Sequence, residues 1–167
     1  MAANIQLIER IATALSTEAL SLVTAESCTG GLIAAELTAV AGSSNWFEGA
    51  FVTYRLSAKQ RMVGVSRETL ATYGAVSEPT ARAMAEGALN ACDARISVAV
   101  TGIAGPDGGD LLAPVGTVWF AWAIAAPTPR CLQTSRHRLS GSRERVRQQA
   151  VTIALQGLLD ILEQPRA

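Results

Sequence analysis

The chain has 167 residues, enough for one domain, residues 1–167, whose core needs no disulfide or metal to hold it. Fourteen basic and fourteen acidic residues cancel, 49% of residues are hydrophobic, and the mean hydropathy is +0.25. That balance excludes intrinsic disorder and gives no electrostatic reason for nucleic acid or an anionic membrane as the main partner. Three scattered cysteines (Cys28, Cys92, Cys131), no CxxC and a single histidine, His137, offer neither a zinc site nor a disulfide framework. No metal or cofactor is expected, and the thiols read as reduced residues of a cytoplasmic protein. Glu9 interrupts the N-terminal stretch, which argues against a signal peptide. The most apolar run, residues 115–126, is too short for a bilayer.

In chain order, Ile5, Ile8, Ile11, Ala12 and Leu15 recur at helical spacing and predict an amphipathic first helix. Residues 20–25 read as a short buried strand. The segment Glu26-Ser27-Cys28-Thr29-Gly30-Gly31 then leads into a helix over 32–40. Gly42-Ser43-Ser44-Asn45 is a turn or cap, residues 49–55 a strand, and Ser57 a candidate N-cap for a short helix carrying Lys59. Ser66 caps a helix ending near Gly74. Ser77-Glu78-Pro79 opens a longer one to about Ala91, with Ser as cap, acid in the first turn and early Pro all agreeing. Residues 96–100 form a buried strand that empties into TGIAGPDGGD. Residues 116–126 and 131–139 predict a hairpin across Pro127-Thr128-Pro129, and Ser142 caps a long last helix with Val146, Ala150, Ile153, Leu158 and Ile161 on one face. The pattern predicts an α/β fold, a three-layer α/β/α sandwich on a mixed sheet. Both glycine-rich segments follow strands, at the carboxyl ends where open α/β sheets bind ligands.

Thirteen of the fourteen basic residues are arginine, and Lys59 is the one lysine. Lysine can be made neutral by burial or by a nearby cation such as Arg55 or Arg143, whereas arginine cannot, so the exception points to a proton acceptor or to chance. His137 lies between Arg136 and Arg138 in a strand-like segment, an edge or solvated setting. Lys59 is therefore the best base for a serine nucleophile, with Ser43 and Ser44 as candidates and simple helix capping as the plainer reading of each. The SCTGG turn can leave backbone N–H groups free at a helix start for a phosphate or oxyanion. There it would also lower the Cys28 pKa. Gly102 and Gly105 permit close backbone approach to a ligand. The arginines 136, 138, 143, 145 and 147 read first as a solvated face and second as a phosphate site.

Taken together, TAESCTGG, GSSNWFEGAFVTYRLSAK, GVSRETLATYGAVSEPTARAMAEGA, VTGIAGPDGG, PVGTVWFAWA and GSRERVR resemble successive blocks of the CinA C-terminal domain family, over essentially the whole chain. The resemblance implies hydrolysis of nicotinamide mononucleotide to nicotinate mononucleotide and ammonia by a metal-free Ser/Lys dyad. The family's serines fall on Ser27 and Ser44, its tyrosine on Tyr54, its lysine on Lys59 and its late arginine on Arg143. Ser44 is the preferred nucleophile and Ser27 the alternative, with Lys59 as base and Tyr54 orienting or relaying. Thr29, Gly30, Gly31, Thr101, Gly102, Gly105 and Arg143 are expected to bind substrate. The chain departs from the family's usual pattern at Arg55, Leu56, Ala113 and Ser142, which keeps a non-catalytic nucleotide-binding module in view. A role in DNA uptake, suggested by the family's competence name, sits poorly with zero net charge. Trp119, Phe120 and Trp122 put aromatics on both faces of one strand, to be covered by helices or by a second subunit, and a homodimer is expected.

Overall fold

The computed structural model describes residues 4–164, so the expected single domain runs three residues past them at each end. Six helices and five strands alternate in the predicted manner: α1 Ile5–Thr17, β1 Leu22–Glu26, α2 Leu32–Thr38, β2 Phe47–Val52, α3 Leu56–Val63, α4 Arg67–Tyr73, α5 Glu78–Asn90, β3 Ile96–Gly102, β4 Thr117–Ala125, β5 Pro129–Arg138 and α6 Arg143–Glu163. The strands form one mixed sheet in the order β2-β1-β3-β4-β5. β1 lies parallel to both β2 and β3, and β3-β4-β5 continue antiparallel. None of the helices among the described residues is long and apolar enough to cross a membrane.

Strand alternation builds the two faces. Leu22, Ile96, Val98, Val100, Val118, Phe120 and Trp122 point to one side, where α1, α2 and α6 cover them with Ile8, Ile11, Leu15, Ile33, Leu37, Leu155 and Leu158. Val23, Ala25, Ala99, Ala121 and Ala123 point to the other, against α5 with Ala81, Met84, Ala85 and Ala88. The second layer is made of small side chains and is correspondingly close: Ser97 in β3 donates to the Ala85 carbonyl at 2.7 Å. The aromatic strand is thus covered from within the chain. Trp122 is buried and donates its indole N–H to the Ala154 carbonyl at 3.1 Å, so its one polar atom is satisfied.

Helix starts follow the predicted chemistry where serine is available. Ser66, Ser77 and Ser142 each accept a backbone N–H from three residues on, a contribution of about 1 kcal/mol apiece. Several boundaries differ from the expectation, among them β5, which already begins at Pro129 inside the expected turn. The second strand begins at Phe47 and ends at Val52, because in–out alternation starts at the phenylalanine. α3 then starts behind Arg55, which makes no side-chain cap, so Ser57 lies inside the helix and caps nothing.

Candidate active site

Because β1, β2 and β3 run parallel, the segments leaving them emerge at the same edge of the sheet. Ser27 follows β1, Thr53 and Tyr54 follow β2, and Ile103 to Gly108 follow β3. The first turn of α6 joins them there, since Arg143 donates to the Gly105 carbonyl at 2.8 Å. The convergence encloses a cavity of about 250 Å³ lined by Ser27, Cys28, Tyr54, Lys59, Ala75, Val76, Thr101, the 102–105 loop, Asp107, Gly108 and Arg143. A larger groove of about 690 Å³ runs along α6 from Ser142 to Ile153, but its lining holds no nucleophile–base pair.

Lys59 reaches this cavity from α3 and is 1% exposed. Its Nζ lies 2.9 Å from Ser27 Oγ, 2.7 Å from the Thr53 carbonyl and 3.3 Å from the Tyr54 carbonyl. Among the described residues it has no carboxylate in ion-pair range. Three partners suit both protonation states. The ammonium donates to all three; the neutral amine donates two hydrogens to the carbonyls and turns its lone pair to the serine hydroxyl. Burial pulls the Lys59 pKa down from 10.5 to about 8, with the nearby Cys28 acting weakly the other way. Desolvation, not a neighbouring arginine, is therefore the cause.

The turn around Ser27 is organised by two charged residues: Glu26, which the sequence reading did not single out, and Arg147, which it grouped with a solvated face or phosphate site. Glu26, fully buried at the end of β1, accepts from the amides of Gly31 (2.9 Å), Ile33 (3.2 Å) and Ala34 (2.9 Å) and from the Thr24 hydroxyl (3.3 Å). Gly31, the N-cap of α2, has no side chain to do this, so a carboxylate five residues upstream supplies the cap. On the other side, Arg147 donates to the Cys28 carbonyl at 3.0 Å and the Thr29 carbonyl at 3.1 Å. The legible signal for Arg147 was its spacing: four residues after Arg143, it shares that residue's face of α6.

Several expected roles change in this setting. The Gly30 amide closes the turn onto the Ser27 carbonyl at 3.0 Å and the Gly31 amide is held by Glu26, so neither is free for substrate. Cys28 is not activated. Burial pushes its thiol up to about 11, outweighing its own backbone amide and the nearby Lys59 and Arg147, which act the other way. Thr29 is fully buried behind the turn, does not line the cavity, and its Oγ1 has no partner among the described residues. Thr101 lines the cavity while its hydroxyl holds the Ala75 carbonyl at 2.7 Å. Tyr54 meets Lys59 through its backbone carbonyl. Its phenol, on a half-exposed side chain, accepts from Arg143 at 2.9 Å, at the cavity mouth rather than beside Ser27.

Ser44 is placed elsewhere. It is exposed in a short 3₁₀ turn, Ser43–Asn45, that feeds the start of β2, whereas Lys59 follows the end of β2. The six residues of that strand, about 20 Å of extended chain, separate the two within one protomer. The expected Ser44–Lys59 pair is replaced by Ser27–Lys59. His137 also lies away from the site, on the edge strand β5, with its ring edge-on to Phe120 at 5.5 Å.

Residues 4–162 match the family described as the CinA C-terminal domain. The chain is 52% identical to nicotinamide-nucleotide amidohydrolase PncC of Escherichia coli K12 over 92% of its own length and 91% of that protein's. It is 48% identical to the Pseudomonas putida protein of the same name over 84% and 85%. Among solved structures, competence damage-inducible protein A from Klebsiella pneumoniae superposes with a TM-score of 0.89 at 39% identity, covering 96% of this chain and 98% of that one. The competence/damage inducible protein CihA from Agrobacterium tumefaciens gives 0.86 at 44%, covering 95% and 94%. With the fold, the motif blocks and these relatives in agreement, the chain belongs to the CinA C-terminal domain family.

Proposed function

We propose that this chain is an amidohydrolase that converts nicotinamide mononucleotide and water to nicotinate mononucleotide and ammonia, with Ser27 as nucleophile and Lys59 as general base. The observation that carries the mechanism is the 2.9 Å Ser27 Oγ–Lys59 Nζ contact at the wall of the cavity, made by a lysine whose pKa is about 8. The substrate follows from the PncC relatives at about half identity over most of the chain. We read residues 1–167 as one amidase domain acting in the cytoplasm, without nucleic-acid or membrane partners.

Neutral Lys59 takes the Ser27 proton as Oγ bonds to the carboxamide carbon and the carbonyl electrons move to oxygen. Collapse of that intermediate expels the amide nitrogen, which collects the proton from Lys59 and leaves as ammonia, with Ser27 esterified. Water then attacks the ester, Lys59 accepts its proton and returns one to Ser27 as the carboxylate is released. The two carbonyls that hold the lysine's other hydrogens keep its lone pair on Ser27 through both halves of the reaction. Arg143 uses two of its five N–H groups on Gly105 and Tyr54, leaving donors for the nucleotide phosphate. Asp107, the one acid in the lining, suits the cationic pyridinium.

Incubating the purified chain with nicotinamide mononucleotide and measuring ammonia tests the reading: stoichiometric release supports it, and binding without turnover would replace it with a non-catalytic module. We further propose a homodimer. The exposed Leu111 and Leu112, in the loop that continues from the cavity wall, favour a covering subunit. Sedimentation showing only monomer at micromolar concentration would contradict it.

A further inference from the structure

We infer that Arg147 is a positioning residue, fixing the Ser27 turn so that the backbone amide of Cys28 receives the negative oxygen of the tetrahedral intermediate; the inference rests on the Ser27–Lys59 reading above. Its guanidinium bonds two successive backbone carbonyls, Cys28 at 3.0 Å and Thr29 at 3.1 Å, and has no carboxylate in ion-pair range among the described residues. It approaches over Gly30, whose φ of +59° suits glycine and where a Cβ would stand 3.4 Å from Nη2.

The peptide geometry turns this grip into an orientation. Residues 27–30 form a turn closed by the Gly30 amide on the Ser27 carbonyl. The cis bonds lie elsewhere, at Gly105-Pro106 and Ala126-Pro127, so the turn's peptides are trans and each carbonyl points opposite to the N–H it shares a plane with. Drawing the Thr29 carbonyl to α6 therefore aims the Gly30 N–H back at the Ser27 carbonyl. Binding the Ser27 carbonyl into the turn aims the Cys28 N–H out of it. No oxygen among the described residues accepts from that N–H, although Cys28 is buried in the cavity wall. The amides of Gly30, Gly31, Ile33 and Ala34 are all spent on Ser27 and Glu26. A buried donor that no oxygen takes up, directly after the nucleophile and with a permanent positive charge behind its turn, is what a developing oxyanion requires.

Arginine suits the task because its rigid planar fork fixes the direction of both carbonyls, whereas a lysine ammonium is a point charge with freely rotating donors. Arg147→Met is expected to lower kcat for nicotinamide mononucleotide about 10–100-fold, with KM within about threefold, since the Cys28 amide acts on the transition state and not on the bound substrate. The midpoint of the pH–rate profile should stay near 8, because Arg147 is not among the groups that shift Lys59. Arg147→Lys, which keeps the charge without the planar fork, should fall between wild type and Arg147→Met, and carries the test if the methionine variant does not fold. Ser27→Ala, run in parallel, separates the two ideas. If it abolishes turnover while Arg147→Met or Arg147→Lys leaves kcat unchanged, raises only KM, or moves the pH midpoint, the role given to Arg147 is wrong and the dyad stands. If Ser27→Ala remains active, the dyad falls and the inference with it.

Discussion

Lys59 ties activity and stability to one titration. With its pKa moved from 10.5 to about 8 by burial, about a tenth of the molecules carry the free amine at pH 7, against roughly one in three thousand for an unshifted lysine. The rate under kcat/KM conditions should therefore rise about tenfold from pH 7 to pH 9 and level off, following a single ionisation. Stability moves with it. The folded state binds this proton less tightly than the unfolded chain, so the folded protein carries a full penalty below pH 8, which fades as pH rises and vanishes above 10.5. The shift of about 2.5 pH units corresponds to roughly 3 kcal/mol. Lys59→Met removes the titrating group. Urea unfolding at pH 7 and pH 10.5 should show wild type gaining roughly 3 kcal/mol more than the variant over that interval. In the same variant, ammonia release should drop 10²–10⁴-fold at every pH. Equal pH dependence in the two proteins, or a rate profile with its midpoint near 10, would refute the buried neutral amine.

Lys59→Arg keeps a cation of similar reach but no removable proton, and should lose turnover in the ammonia assay even where circular dichroism shows an intact fold. Cys28→Ala should retain turnover, and iodoacetamide at pH 8 should leave Cys28 unmodified by mass spectrometry, because the thiol stays protonated to about pH 11. Glu26→Gln turns an amide NH₂ toward backbone N–H groups that need an acceptor, and should cost about 1–3 kcal/mol in urea melts. Gly157→Ala sets a Cβ 2.2 Å from the Trp122 ring and should destabilise by about 1–3 kcal/mol through overpacking, with near-normal kcat in whatever fraction remains folded.

Local chemistry made much of this molecule readable. Helical spacing gave α1 and α6, Ser66, Ser77 and Ser142 marked three helix starts, and the two glycine-rich segments lie where β1 and β3 end. A lone lysine among thirteen arginines pointed to the residue that sits buried against a serine. What local pattern could not resolve is set by long-range pairing. Ser44 precedes β2 and Ser27 follows β1; only the parallel registration of those strands puts the two serines at opposite edges and Lys59 with the second. The SCTGG turn misled for a related reason. Its amides looked free at a helix start, but Glu26 folds back to take them, and burial then decides the Cys28 pKa. Partners such as Arg147, 118 residues from Thr29 in the chain, become visible only when α6 packs beside α2.

Ser27→Ala and Ser44→Ala, assayed side by side for ammonia release from nicotinamide mononucleotide, test the central claim most directly. Ser27 Oγ is the hydroxyl that Lys59 touches, whereas Ser44 lies a strand's length away within the protomer. The account predicts that Ser27→Ala loses at least about a thousandfold in kcat while Ser44→Ala turns over at a rate close to wild type. Loss of activity in Ser44→Ala with Ser27→Ala still active would contradict it.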